Sequence, residues 1–402
     1  MKVLFLSPNY PIEMQDFTRG LSEVGADVVG VGDTHRDGLS PKVKKALAGY
    51  LQVPLTDAGA VLAAVRATGV RFDRIECLWE PFVELAAWLR EQLDVPGMSL
   101  DTARAFRDKE LMKQRVEAAG LRVPHHTRAS TREEVWAAAE RIGFPLIVKP
   151  ISGAGSADTF RVNDAKELQL ALERTAHVAE VSVEEFVDGE EFTFDTVCID
   201  GTPAYANIAQ YHPRPLLARS NEWVSPVVVT LRDMWADKYK GGIGLGYGVL
   251  AALGMGTGFT HMEWYLTKKG EVVFGEIGAR SAGGHLVDQM NWTSDIDLYR
   301  EWARAVCWKS FEANNTRTYN CAIIFKRAQG QGRIQKIVGL QEYMGRYGQH
   351  VVSEQLLRPG TPRRDWLQTL VSDGFVAVRH PSHDATMRMA DAAATEIQLY
   401  AG

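Results

Sequence analysis

The chain has 402 residues, 46% hydrophobic and 24% charged, which excludes disordered, collagen-like and coiled-coil classes and leaves room for two to four packed domains. A net charge of −5 without any run of five or six like charges gives no footprint for nucleic acid as a partner. No apolar stretch approaches the roughly 20 residues of a membrane span, and Cys77, Cys198, Cys307 and Cys321 lack the CxxC spacing of a zinc site or a small disulfide framework.

The start, "MKVLFLSPNYP", has a short apolar run before Ser7 and Pro8, too short for a secretory leader, and reads as a first strand. A reducing cytoplasm is the expected setting. Strand and helix signals then alternate: "KVLFL", an amphipathic stretch from Phe17 to Val24, "DVVGVG", a helix in "DAGAVLAAVRATG", "RIECLW", and the helix "PFVELAAWLREQL". That rhythm predicts a parallel, Rossmann-like α/β domain. Its first strand runs into "SPNYPIE" where a dinucleotide fingerprint would need glycines, so NAD is not expected there.

"SLDTARAFRDKELMKQRVEAAGLRVP" predicts one long helix, closed by Gly120 and Pro124 and bridging two domains. "STREEVWAAAERIG" opens with a capping box at Ser130 and Glu133 and puts Val135, Ala138, Ala139 and Ile142 on one face. The strand "PLIVKP", the capped helix "NDAKELQLALERTA" and the strand "VSVEEFV" follow, so residues 121 to 187 read as a small α+β module. From 190 to 280 strand signals return in "EFTFDTVCI", "AYANIAQ", "HMEWYLT" and "EVVFGEI", around a glycine-dense segment whose middle predicts a helix. The helix "DIDLYREWARAVCW" and a β-rich tail with "CAIIFKRA" and "GRIQKIVG" complete the pattern, without internal repeats.

Three segments carry residues suited to chemistry. In "FPLIVKPISGAGSADTF" an apolar strand ends at Lys149 and enters Ser152, Gly153, Gly155 and Ser156. Small residues let backbone N–H groups close on phosphate oxygens while a lysine neutralises their charge. An ordinary surface hairpin with a solvated lysine is the alternative. "VSVEEFVDGEEF" offers a strand edge for an adenine and later carboxylates for ribose hydroxyls, or else a solvated acidic hairpin. Glu263 and Glu276, thirteen residues apart across the turn "TKKGE", would stand side by side on adjacent strands. Flanked by Met262, Trp264, Phe274 and Ile277, they predict a partly buried pair of oxygen donors for Mg²⁺. "GYGVLA", Gly246 to Ala251, matches a dinucleotide fingerprint but follows no buried strand and is set aside.

The order of these pieces resembles the ATP-grasp superfamily of carboxylate–amine and carboxylate–thiol ligases, over nearly the whole chain. A strand-Lys-Gly loop, a strand with Glu-Glu and a further Glu seven residues on, then Glu-x12-Glu followed by an arginine carry the likeness, and "RDKELMKQRVEAAGLRVP" is similar to the segment that precedes the family's ATP module. The resemblance implies an α/β and α+β fold: a Rossmann-like domain before the ATP-grasp part at 1–105, a small subdomain with a glycine-rich flap at 106–187, a large subdomain with the metal site at 188–308, and a β-rich C-terminal part at 309–402.

It also implies roles. Lys109 and Lys149 would contact the nucleotide phosphates under a flap containing Ser152, Gly153, Gly155 and Ser156. Glu184, Glu185, Phe186 and Val187 would frame adenine, and Glu191 would take the ribose. Glu263 and Glu276 would hold one or two Mg²⁺, with Mn²⁺ as a substitute, and Arg280 would hold the reacting carboxylate. Gly278 departs from the family's usual asparagine in E-x-N-x-R, leaving water to complete the shell or one metal more loosely held. "SAGGH", with Gly283 and Gly284, is similar to the glycine-rich segment of the amino-acid ligase and carbamoyl-phosphate-synthase-like branch and would leave room for substrate close to the backbone.

The activity implied is ATP-dependent ligation of a small carboxylate to an amine through an acyl phosphate, in a protein compatible with a homodimer. Bicarbonate activation, a purine-pathway reaction and nucleotide binding without turnover are the alternatives. Glu80 in "LWEP", His261, His212, Arg214, Arg219 and Trp223 are substrate-pocket candidates, each with a structural reading beside it: packing for the aromatics and histidines, solvation for the arginines.

Overall fold

Residues Val3, Leu4, Phe5 and Leu6 show no polar alternation and are fully buried, as an inner parallel strand requires. The structure is a computed structural model and describes residues 1–151, 158–369 and 371–402. Lys2–Leu6 pairs in parallel with Asp27–Gly32 and Arg74–Glu76, and Leu47–Gln52 adds outside Asp27–Gly32. That last strand lies outside the sequence expectation, because "LAGYLQ" lacks a β-branched run and directly follows the helix Pro41–Ala46. The "RIECLW" strand ends early, at Glu76, and the chain turns at Glu80–Phe82, which brings Glu80 to the edge of the domain.

Two helix expectations are corrected. The predicted long helix is two, Leu100–Ala105 and Lys109–Ala118, because the Asp108 carboxylate caps the second by accepting from the N–H groups of Glu110 and Leu111, both at 3.0 Å. The capping box of the helix Arg132–Ile142 is Thr131 with Glu134, one residue later than Ser130 and Glu133.

The small module is a four-stranded antiparallel sheet in the order His126–Ala129, Val181–Glu185, Leu146–Pro150, Phe160–Val162, covered by the helices Arg132–Ile142 and Ala165–Arg174. The large antiparallel sheet begins at Val272–Gly278 and continues through Gly258–Thr267, Gly189–Ile199, Ala209–His212 and Val227–Thr230. It runs without a break into Asn320–Phe325, Phe375–His380 and Val351–Glu354, so one sheet joins the strands that carry Glu263 and Glu276 to the tail. The tail's strands are packed by two helices its pattern did not announce, Leu340–Tyr347 and His383–Glu396.

The glycine-dense segment forms the helix Asp237–Ala252, with "GYGVLA" inside it. A Cβ at Gly242 would sit 2.3 Å from the Trp264 ring, and one at Gly246 2.3 Å from the Phe194 ring, so these glycines let a helix lie against large aromatics. Phe17 ties the N-terminal layer to the helix Leu298–Trp308, its ring meeting those of Trp302 at 5.0 Å and Tyr299 at 4.8 Å, and to the large sheet through Phe259 at 6.2 Å.

Candidate active site

Glu263 and Glu276 are direct cross-strand partners on the antiparallel pair Gly258–Thr267 and Val272–Gly278. The register shifts just after Glu263, and a Cβ at Gly275 would lie 2.8 Å from the Glu263 carbonyl oxygen, so the irregularity requires glycine there. Beside the pair, Lys149 is the penultimate residue of the strand Leu146–Pro150 and Lys109 opens the helix Lys109–Ala118. Each ammonium is 3.6 Å from the Glu276 carboxylate.

One cavity is lined by Lys109, Lys149, Glu184, Glu185, Phe186, Val187, Glu191, Glu263 and Glu276, together with Arg214 and Tyr265. The sequence candidates for nucleotide and metal thus converge, apart from Ser152, Gly153, Gly155 and Ser156, which lie outside the described residues. Glu184 needs refinement: its buried carboxylate accepts from Lys113 at 2.9 Å and the Ser182 hydroxyl at 2.8 Å and is 3.1 Å from Lys149. Its side chain therefore organises lysines. Glu185 receives the Arg122 guanidinium at 2.9 Å on both oxygens. Phe186 lies under the guanidinium of Arg161 at 4.1 Å and that of Arg214 at 5.0 Å. Arg214 also donates to the Glu191 carboxylate at 2.9 Å and the Val187 carbonyl at 2.8 Å.

The charges alternate. Burial raises the cost of ionising Glu184, but Lys113 and Lys149 outweigh it and hold the carboxyl well below its usual range. Burial depresses the Lys113 ammonium to about 8, while Lys149, also buried, is held above the usual lysine value by Glu184 and Glu276. Glu276 is lowered, since Lys109 and Lys149 overcome its burial, whereas Glu263 is raised by burial and by the neighbouring Glu276. Burial and Glu263 push Glu191 up to about 7 despite Arg214. Tyr211 donates its hydroxyl to Glu263 at 3.1 Å.

A smaller space adjoins, lined by Glu80, Arg107, Lys109, His261, Glu276, Gly278 and Arg280. Glu80 is gripped from two sides, by Arg280 at 2.7 Å and Arg107 at 2.5 Å, which hold its carboxyl below the usual range against its burial. His261 meets Asp195 through Nδ1 at 2.5 Å. Gly278 leaves room for Arg280 to fold back, since a Cβ there would be 3.2 Å from Arg280 Cγ. Gly283 and Gly284 line neither space. Of the other candidates, Arg219 bonds the Leu367 carbonyl and Trp223 is 82% exposed.

Lys113 and Asp195 were not among the sequence candidates. Lys113 follows Lys109 by one helical turn, a spacing that puts both on one face and could have drawn attention to it. Asp195 gave no signal, being one acid inside an apolar strand.

The carboxylate pair suits a divalent cation. Glu276 is held ionised by lysines while its charge raises Glu263, a repulsion that a hard cation would relieve. Among the described residues no three His, Cys, Asp or Glu side chains form a ready cage, so phosphate oxygens and water would supply the remaining ligands. Among the same residues no helix is long and apolar enough to cross a membrane.

Comparison with known proteins agrees with this geometry. Residues 142–289 match the family described as ATP-grasp domain. An L-arginine-specific L-amino acid ligase from Bacillus subtilis is 27% identical over 235 residues, 57% of this chain and 56% of the relative, so the chain spans little more than half of that protein's length. The crystal structure of an L-amino acid ligase from Bacillus licheniformis superimposes with a TM-score of 0.80 at 23% identity, covering 100% of this chain and 98% of the other. An N5-carboxyaminoimidazole ribonucleotide synthetase from Thermotoga maritima does so with a TM-score of 0.73 at 17% identity, covering 100% and 99%. The segment that runs from the lysine-bearing strand to the paired acids Glu263 and Glu276 lies within the residues that match the ATP-grasp domain.

Proposed function

We propose that the protein is an ATP-dependent ligase that activates a small carboxylate as an acyl phosphate and transfers the acyl group to an amine. The observation that carries this reading is the pairing of Glu263 with Glu276 beneath Lys109 and Lys149, with Arg280 facing the adjoining space.

In the first step a substrate carboxylate oxygen bonds to the γ-phosphorus of ATP, the bond to the bridging oxygen breaks, and ADP leaves. In the second, an amine bonds to the acyl carbon, phosphate departs with its oxygen, and the amine loses a proton. This chemistry needs positioning and charge neutralisation. Lys109 and Lys149 would stand at the phosphates, and Glu191 with Arg214 at the sugar. Phe186 and Val187 would border the base. Arg280 would orient the attacking carboxylate, displacing the Glu80 carboxylate that it grips here. Glu263 and Glu276 would hold Mg²⁺, whose chemistry is to neutralise phosphate charge as a Lewis acid.

An amino-acid substrate is supported by the likeness to the L-arginine-specific L-amino acid ligase. ADP release should be measured over a panel of amino acids, small carboxylates and bicarbonate, with product masses identified. Amide products dependent on both an acid and an amine would support the ligase. Stimulation by bicarbonate alone would replace it with the carboxylating reading. Tight ATP binding with no stimulation by any acid would leave a nucleotide-binding module.

A further inference from the structure

We propose that His261 is a nitrogen ligand to the divalent cation held by Glu263 and Glu276, giving this site a mixed nitrogen and oxygen donor set. The inference rests on the metal-acid reading given above and adds a donor to it.

Two cross-strand pairs sit next to each other on one face of the sheet: Glu263 opposite Glu276, and His261 opposite Gly278. Alternation along a strand puts residues i and i+2 on the same side, so these four positions form the corners of one rectangle. Three corners carry donors and the fourth, Gly278, is bare. The space a side chain would occupy there is bordered by Arg280, whose Cγ and Nε lie 3.2 and 3.6 Å from a Cβ built at that corner. No protein donor can come from that corner.

His261 is held in an orientation suited to ligation. It is 8% exposed, and its Nδ1 meets Asp195 Oδ1 at 2.5 Å. Asp195 also accepts from the Thr193 hydroxyl at 2.8 Å and the Asn207 amide at 2.9 Å, so its carboxylate is fixed by three donors. A carboxylate accepting from Nδ1 assigns the ring proton to that atom and leaves the Nε2 lone pair outward, the arrangement that carboxylates impose on metal-binding histidines. Nε2 lies 3.8 Å from Glu263 Oε1. Neighbouring ligands of an octahedral cation at about 2.1 Å lie roughly 3 Å apart, so a shift of less than about 1 Å brings the two into one shell. An imidazole donor moves the preference of an otherwise all-oxygen site away from Mg²⁺ and toward first-row transition ions.

The test is pulsed electron paramagnetic resonance of Mn²⁺ bound to the full chain with the β,γ-methylene analogue of ATP. Protein labelled with ¹⁵N-histidine distinguishes imidazole from adenine nitrogen. The expected result is a ¹⁵N coupling of directly bound imidazole, absent in His261→Ala. That variant should weaken Mn²⁺ binding by about tenfold or more and Mg²⁺ binding by less than about threefold. Mn²⁺ bound with nucleotide but showing no histidine coupling overturns the inference and leaves the carboxylate reading standing. Nucleotide that binds without Mn²⁺ overturns both. The wild-type spectrum decides the question even if His261→Ala does not fold.

Discussion

Lys113 and Glu184 meet at 2.9 Å in the protein interior, and Glu184 is also 3.1 Å from Lys149. A buried carboxylate between two ammonium groups is stable only while the charges stay matched, so this pair sets where Lys149 stands. Lys113→Met should cost about 3 kcal/mol, the penalty of breaking a buried ion pair from one side. Glu184→Gln should cost at least as much, because it leaves two buried lysines facing each other. Denaturant unfolding of both single variants and the double variant checks this: the double should be less destabilised than the sum of the singles.

Glu191 makes stability depend on pH in an unusual direction. Its folded value is pushed up to about 7 from the ordinary 4.5, so the native state keeps a proton that the unfolded chain has released. Its contribution is therefore present at low pH, falls as pH rises between those values, and is flat above them. Unfolding free energies of the wild type and Glu191→Gln should diverge across that window, with the wild type losing stability relative to the variant. A constant difference would refute the assignment.

Arg280 is expected to act on the acid substrate and not on the nucleotide. Arg280→Lys keeps the charge but loses the planar fork, and should lower kcat/KM for the acid by about 100-fold while leaving nucleotide affinity unchanged. Steady-state kinetics with equilibrium nucleotide binding separates the two. Equal losses in both would take Arg280 out of acid recognition.

Gly246→Ala tests the helix that carries the false fingerprint. Alanine favours a helix over glycine by about 1 kcal/mol. The added Cβ would fall 2.3 Å from the Phe194 ring, however, and overpacking costs about 1 to 3 kcal/mol. The variant should be destabilised or near neutral, whereas an exposed helix would gain, and the urea midpoint at unchanged slope reads the difference.

Part of the candidate site was legible in the sequence because some of its members are close neighbours along the chain. Glu263 and Glu276 are joined by a tight turn, so local pairing alone brings them together. Lys149 stands near the end of its strand, where the apolar run stops. The misplaced elements have local causes of a finer grain. Asp108 interrupts a helical pattern by capping, and the choice between Ser130 and Thr131 as cap depends on a backbone angle that composition does not reveal.

Residue order and side-chain chemistry determined the family resemblance and the carboxylate pair, since the pair is encoded within a few residues by alternation and turn chemistry. Folding decided which charges meet across long separations. Glu184 lies 71 residues from Lys113, Asp195 lies 66 from His261, and Glu80 lies 200 from Arg280. Asp195 meets His261 through strand pairing within one sheet, whereas the other two pairs meet only when separate elements pack, and a buried charge takes whichever partner that packing brings within reach.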